Sequence, residues 1–367
     1  MNDDFDVEAL HEAWSDSLRE ARIGETLPEV RLPEVWSEEW RGTERDVRVV
    51  VARMPVEVRD GFVYDRVPWG RFSHAYGSGE DVPEDLEEMR CADAVTAERG
   101  LGSLWGSISH QGSRCSVAPL AVPFLLRIAA DRSTHHRADT LELVAVVARR
   151  KCWEDGSRTD LLQVADGDDD WHFDMSGYFQ NWTVEAARDA IAADAHIPIA
   201  LLDDRDPDVR EAAAYVLAAS TGRAGEISAA LHDRLRAEEH ARVGASLVLA
   251  IAQLAREHRH EDAAAFTRAL WSDPTRTAEV RVSAALGWLC LVDDPAPDTL
   301  RAVLDACVTD ELGRSMASMP WMTQVDHDGD GLTRTLQRMF DPDSLRRPAG
   351  ADDPWAEPEG CADDPPF

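Results

Sequence analysis

Three aspartates at alternate positions, followed by glycine, form the most specific chemical motif in the sequence. Residues 326–331 (DHDGDG) match the start of a calcium-binding loop, in which alternate carboxylates bind the ion and glycine allows a tight turn. The last position of such a loop, usually a bidentate glutamate, is Gln337, which offers one neutral oxygen. We therefore predict weak calcium binding, at about 0.1 to 1 mM, by Asp326, Asp328, Asp330 and Gln337, and no other cofactor. The alternative interpretation is a solvated turn.

His110 and Cys115 have the residue types of a catalytic base and its nucleophile. Catalysis would also need a third group that orients the histidine, and the sequence identifies none. The structural interpretation is that Ile108 ends a helix, that His110 interacts favourably with the helix dipole, and that Gly112 supplies a left-handed cap. The sequence favours a non-enzymatic protein and leaves the question of catalysis undecided.

The other histidines and cysteines do not form a metal-binding pattern. The pair at 135–136 and the group at 258–261 lack the spacing that places two ligands on one helix face, so we interpret them as turn residues. The six cysteines include no CxxC pair and are predicted to be free thiols. No glycine-rich phosphate loop or GxSxG motif occurs.

The elements that position these groups are predicted from a repeat in the middle of the chain. Each copy contains a small apolar residue, an arginine, an alanine three places later and a large apolar residue four places after that; the copies are residues 209–217, 241–249 and 280–288. Their arginines are 32 and then 39 residues apart, a period typical of stacked helix pairs. Alanine lets neighbouring helices approach closely in such a stack.

Local signals mark where the repeated helices begin. Asp206, followed by proline, predicts an N-cap with proline in the first turn. Thr183 and Thr277 are predicted as two more N-caps because acidic residues follow them. Partner helices are predicted before two of the repeats, over residues 197–202 and 263–270.

Residues 197–213 resemble the HEAT repeat in its short bacterial form, of the type named after phycobilisome lyases. Three upstream segments are similar to a largely uncharacterised group of bacterial HEAT-repeat proteins: 74–83 (HAYGSGEDVP), 104–112 (LWGSISHQG) and 121–126 (AVPFLL). The resemblance covers roughly residues 70–310. It implies an all-α solenoid of about five or six helix pairs, a fold that mostly binds other macromolecules.

Three regions are expected along the chain. Residues 1–80 do not repeat and are predicted to form an irregular N-terminal cap, with a helix over 7–21 and a short strand over 46–51. Residues 81–340 form the array, with an acidic insertion near 152–180. Residues 341–367, rich in proline and acids, are predicted to be a disordered tail.

Charge restricts the partners. Seventy acidic and 38 basic residues give a formal net charge of −32, which argues against binding duplex DNA or an anionic membrane surface and favours a basic protein or peptide. No apolar stretch approaches the roughly 18 residues of a membrane span, and the acidic N-terminus is unlike a secretory signal. The expectation is a soluble cytoplasmic protein.

The leading hypothesis is a scaffold or regulator that holds a basic partner on an acidic solenoid surface. The residues expected to point away from the core there are Asp203, Asp204, Glu211, Tyr215 and Ser246. Two alternatives stay open. The first is an enzyme on a HEAT-like fold, either a bilin lyase or a DNA glycosylase, the latter opposed by the charge. The second is an acidic antidote for one basic protein.

Overall fold

Helices account for nearly all the regular structure, as the repeat pattern predicted. The computed structural model describes residues 38–149, 156–164, 172–325 and 330–341, all of which lie within the unit Val35–Phe367. These residues contain seventeen α-helices, four short 3₁₀ turns and two hairpins of two-residue strands. The all-α class is therefore confirmed.

The helices before residue 150 form the first group. They are α1 (Val47–Arg53), α2 (Val56–Asp60), α3 (Val82–Met89), α4 (Ala94–Ile108), α5 (Ala118–Ala130) and α6 (Arg137–Val147). Two antiparallel hairpins lie among them, β1 (Ser73–His74) with β2 (Gly77–Ser78) and β3 (Ser109–His110) with β4 (Ser113–Arg114). The 3₁₀ turns are Glu38–Trp40, Tyr64–Arg66, Trp69–Arg71 and Gly79–Asp81.

The remaining helices form the second group. They are α7 (Gln180–Ala193), α8 (His196–Leu201), α9 (Pro207–Leu217), α10 (Ala224–Ala237), α11 (Ala241–Glu257), α12 (Ala263–Ser272), α13 (Ala278–Leu291), α14 (Asp298–Cys307), α15 (Asp310–Met316), α16 (Pro320–Thr323) and α17 (Gly331–Phe340). Helices α8 and α12 confirm the two predicted partner helices.

The three repeated segments become α9, α11 and α13, and each packs on the next, with α6 packed on the other side of α9. Helices α10 and α12 pack against α11 and α13, respectively. The repeated alanines, Ala213, Ala245 and Ala284, are fully buried, consistent with close helix approach. One continuous hydrophobic core extends through these helices, from Val47 in α1 to Met339 in α17.

Two of the three predicted N-caps are correct. Asp206 caps α9 by accepting a hydrogen bond from the backbone N–H of Asp208. Thr277 occupies the N-cap position of α13, but its side chain makes no capping hydrogen bond. Thr183 is not an N-cap, because α7 begins one turn earlier, at Gln180. The backbone N–H of Gln180 donates to the carbonyl of His172 at 2.8 Å, and Thr183 is fully buried inside the helix.

The strand predicted over residues 46–51 is wrong, because this segment begins α1. Asp46 accepts a hydrogen bond from the backbone N–H of Arg48 and so acts as an N-cap. Val47 and Val51, one helical turn apart, are buried against α5 and α7. Packing of this helical face outweighs the β propensity of the valines.

Several predictions fall outside the described residues: the helix over 7–21, the acidic run at 166–170, Asp326 and Asp328, and the tail beyond residue 341. The boundary between cap and array at residue 80 also stays a prediction. Among the residues that the structure describes, no helix combines the length and apolar character needed to cross a membrane.

Candidate functional site

The surface predicted to bind a partner is mostly buried. Glu211, Tyr215 and Ser246 are 4%, 2% and 0% exposed, so the prediction that they point away from the core is wrong. Helix α16 covers Tyr215: the Trp321 ring meets the Tyr215 ring edge to face at 4.7 Å, and its indole N–H donates to Gln253 of α11 at 2.7 Å. Glu211 and Ser246 are buried where α9 packs on α11, and Ser246 donates to the Glu211 carboxylate. The repeat pattern fades before α16 and therefore did not reveal it.

The two aspartates of that prediction serve the packing of helices. Asp204 is 6% exposed and forms ion pairs with Arg137 at 2.9 Å and with Arg132 at 3.6 Å. The hydrogen bond from Arg137 is the main reason that its pKa is lowered. Asp203 is exposed, as expected, and pairs with Arg234 at 3.1 Å.

The predicted calcium ligands are only partly described. Asp330 immediately precedes α17 and pairs with Arg334 at 3.3 Å. Gln337 lies on the same helix, about 10 Å further along its axis. Asp326 and Asp328 are outside the described residues, so the complete site remains a prediction. Within the described residues, no cluster of three His, Cys, Asp or Glu side chains is arranged to hold a metal ion.

The environment of Cys115 does not suit a nucleophile. Its side chain is 1% exposed, and burial raises the pKa of the thiol to about 12. A thiol with such a pKa is protonated at neutral pH and therefore unreactive. His110 and Cys115 thus do not form a nucleophile–base pair in this structure.

His110 instead lies on one of two neighbouring hairpins. Helix α4 ends at Ile108 as expected, but Gly112 is not its cap: Gln111 and Gly112, with φ of 46° and 85°, form the two-residue turn between β3 and β4. Ala75, in the turn between β1 and β2, donates its backbone N–H to the carbonyl of Ser107 at 3.0 Å. The first turn therefore lies against the C-terminal end of α4, next to the start of the second hairpin.

Buried polar groups form hydrogen bonds with the backbone next to the hairpins. The Asp174 carboxylate, 5% exposed, accepts hydrogen bonds from the backbone N–H groups of Ser116, Ser176 and Tyr178 at 2.8 to 2.9 Å. The fully buried Arg114 guanidinium donates to the carbonyls of Val146 and Arg149 at the end of α6. Satisfied buried networks of this kind rigidify the backbone that they support.

His74 is fixed by two hydrogen bonds. Its Nδ1 accepts the backbone N–H of Tyr76 at 3.0 Å, which places the ring proton on Nε2, where it donates to the Asp81 carboxylate at 2.8 Å. Both nitrogens are occupied, one by the hairpin backbone and one by the 3₁₀ turn that follows it, and the side chain is almost fully buried. The role of His74 is therefore to orient the turn.

Tyr76 projects from that turn into solvent, with 71% of its surface exposed. Its ring meets His74 and His110 edge to face, at centroid distances of 6.2 and 5.2 Å. The His110 Nδ1–H donates to the carbonyl of Gly106 at 2.9 Å, with the Tyr76 hydroxyl 3.3 Å away. We call His74, Tyr76, His110 and Gln111 the hairpin site.

The sequence predicted no site at these turns: Tyr76 lies in a segment noted only for its family resemblance, and His110 was considered only as a candidate base. Two dipeptides could have indicated these hairpins. Ala75-Tyr76, which a glycine follows, and Gln111-Gly112 each fit a two-residue hairpin turn. Strands of two residues are too short for hydrophobic periodicity to reveal.

Chemically, the hairpin site offers an aromatic ring and a hydroxyl on a rigid support, with a histidine beside them. No protein-family model matches the chain, and no curated protein matches it either. The interpretation of the site therefore depends on its own geometry.

Proposed function

We propose that this chain is a non-enzymatic binding protein that holds a basic segment of another protein at the hairpin site. The observation that carries the proposal is the exposure of Tyr76, 71%, combined with its fixed position between two histidine rings. Tyrosine is among the residues that most often dominate binding energy at protein interfaces. A ring that is already held in place loses little conformational freedom when it binds.

The charge around the hairpin supports a basic partner. Glu80, Asp81 and Glu84 follow the first hairpin directly and are exposed. Neither Glu80 nor Glu84 forms an ion pair with another described residue. Acidic side chains at the rim of an interface accelerate association with a basic partner and discriminate against acidic ones.

We further propose that the helices form a HEAT-type solenoid behind this site. The order in which α6, α9, α11 and α13 pack supports it, since each helix contacts its neighbours in sequence, as in a stack of repeats. Five pairs of consecutive helices that contact each other support the expected count: α3 with α4, α5 with α6, α8 with α9, α10 with α11, and α12 with α13. A HEAT-type array fits a binding role because it presents side chains on a rigid support.

Affinity capture from a lysate of the host tests the function. Immobilised wild-type chain should retain a basic protein, and Tyr76→Ala should lose most of it. Val95→Ala is the matched control, because Val95 has the same 71% exposure on a different element, α4. Equal retention by wild type and Tyr76→Ala contradicts the proposal. Both variants should keep wild-type helical content by circular dichroism.

A further inference from the structure

A cleft lies beside the first hairpin, between the 3₁₀ turns Tyr64–Arg66 and Trp69–Arg71 and the start of α3. Its volume is about 400 Å³, and its walls combine apolar side chains with two carboxylates. The apolar lining comes from Tyr64, Val67, Pro68, Trp69 and Pro83. The carboxylates belong to Asp65 and Glu80.

Both carboxylates lack a cationic partner within the described part of the chain. The arginines that flank this segment do not line the cleft, and Arg71 pairs with Glu44 at 3.0 Å instead. Elsewhere the protein pairs its carboxylates extensively, for example Asp194 with Arg59 and Arg127 and Glu238 with Arg210 and Arg234. Asp65 and Glu80 therefore keep their charge available to a ligand.

The backbone is shaped to admit the Glu80 side chain. A Cβ atom added at Gly70 would lie 2.4 Å from Glu80 Oε1 and 2.8 Å from its Cγ, closer than atoms can approach. Glycine at position 70 thus lets the Glu80 carboxylate lie across the turn, at the wall of the cleft. A larger residue would push it away.

We propose that this cleft binds one arginine side chain of the partner. The inference rests on the proposed function and names the residue type that the acidic surface recognises. The methylene stem packs against the prolines and Trp69, and the guanidinium lies between Asp65 and Glu80. Arginine fits this mixture because its planar cation is weakly hydrated and packs readily on apolar walls.

The test uses the full chain and a single-residue probe, N-acetyl-arginine methylamide. The Trp69 indole N–H, which donates to the carbonyl of Tyr64 at 2.9 Å, reports on the cleft by two-dimensional NMR. Its resonance, assigned by its loss in Trp69→Phe, should shift with probe concentration and saturate in the millimolar range. The citrulline analogue, equal in shape but neutral, should produce no comparable shift.

Variants of the cleft test separately the charge of its two carboxylates and the position of Glu80. Asp65→Asn with Glu80→Gln should weaken probe binding by at least about fivefold, as should Gly70→Ala, which displaces Glu80 without removing its charge. Glu84→Gln is the matched control, because it removes an exposed unpaired acid that does not line the cleft.

An unshifted resonance, an equal shift with citrulline, or equal weakening by Glu84→Gln would overturn the inference. Tyr76→Ala should leave probe binding unchanged. If the probe fails while partner capture still depends on Tyr76, only the arginine assignment is wrong and the proposed function stands.

Discussion

Glu211 shows how the fold changes the chemistry of a single residue. Its carboxylate is buried between α9 and α11, where it accepts a hydrogen bond from Ser246 and lies 3.0 Å from the Arg242 guanidinium. Burial outweighs these two favourable interactions and raises its pKa to about 7, with a further contribution from the charges of Asp208 and Glu142. Desolvation disfavours the charged form of any buried carboxyl group.

This pKa predicts the pH dependence of stability. In the unfolded chain Glu211 titrates near 4.5, so the folded state binds the proton more tightly. The stability that the protein has when Glu211 is protonated is fully present below pH 4.5, and it is lost as the pH rises through 7 and the carboxyl group ionises. Glu211→Gln retains an acceptor for Ser246 and cannot ionise, so it should be more stable than wild type at pH 8, by about 1 to 3 kcal/mol, and similar at pH 4.5.

Urea denaturation of both proteins across this pH range measures the difference. Glu226→Gln, which changes an exposed carboxylate paired with Arg223, is the control and should leave the pH profile unchanged. Parallel profiles for wild type and Glu211→Gln would show that the Glu211 carboxyl group is not the source of the pH dependence.

The sequence could not predict this burial. Tyr215 and Ser246 occupy positions that a single helix pair would expose. Tyr215 is covered by Trp321, more than 100 residues further along the chain, and Ser246 is buried where α11 packs on α9 and donates to Glu211. Periodicity describes one helix and its immediate neighbour, whereas the covering contact comes from a region without the repeat. The repeated alanines, by contrast, were predicted to lie between adjacent helices, and all three are buried.

At the scale of elements, the crossing of α3 and α4 depends on one glycine. A Cβ atom at Gly100 would lie 2.6 Å from the backbone carbonyl oxygen of Asp85 and 2.8 Å from the Cβ of Glu88. One of these atoms belongs to the α3 backbone and the other is bonded directly to it. Neither can move without separating the two helices. Gly102, two residues further along α4, has open space around it.

The two glycines predict opposite effects of the same substitution. Gly102→Ala should stabilise the protein by about 0.5 to 1 kcal/mol, because alanine has the higher helix propensity. Gly100→Ala should destabilise it by about 1 to 3 kcal/mol, because the clash in the helix crossing outweighs that gain. Thermal or urea unfolding of the pair provides the measurement. Stabilisation by both would mean that α3 and α4 do not cross closely.

The helices of the repeat were predicted, whereas the two hairpins and α1 were not. Helices α8, α9, α11, α12 and α13 correspond to predicted segments, because each buries a face with regular spacing. The hairpins that carry Tyr76 have no such spacing, and α1 was mistaken for a strand because its valines carry a β signal. The candidate site therefore lies where sequence patterns are least informative.

For the whole molecule, the acidic excess is unevenly distributed. The described residues contain 45 acidic side chains against 31 arginines, while the other 80 residues contain 25 acidic and seven basic ones. Most described arginines that contact carboxylates do so between helices, where they serve packing. Acidic side chains therefore outnumber arginines within the described residues as well, so the net charge repels phosphates.

Duplex DNA should therefore not bind at physiological salt. An electrophoretic mobility shift at micromolar protein measures this directly. A shifted band that weakens steeply as salt is added would contradict the prediction, because that dependence reports contacts between cationic side chains and phosphates.

Photo-crosslinking at the hairpin turn tests the central claim most directly. The full chain carrying p-benzoylphenylalanine in place of Tyr76 is irradiated in a host lysate, with the same residue in place of Val95 as the equally exposed control. We predict one major adduct from position 76, to a basic segment of a single protein, and none of that protein from position 95. Adducts of equal yield and identity from both positions, or none from position 76, would contradict a binding role for the hairpin site.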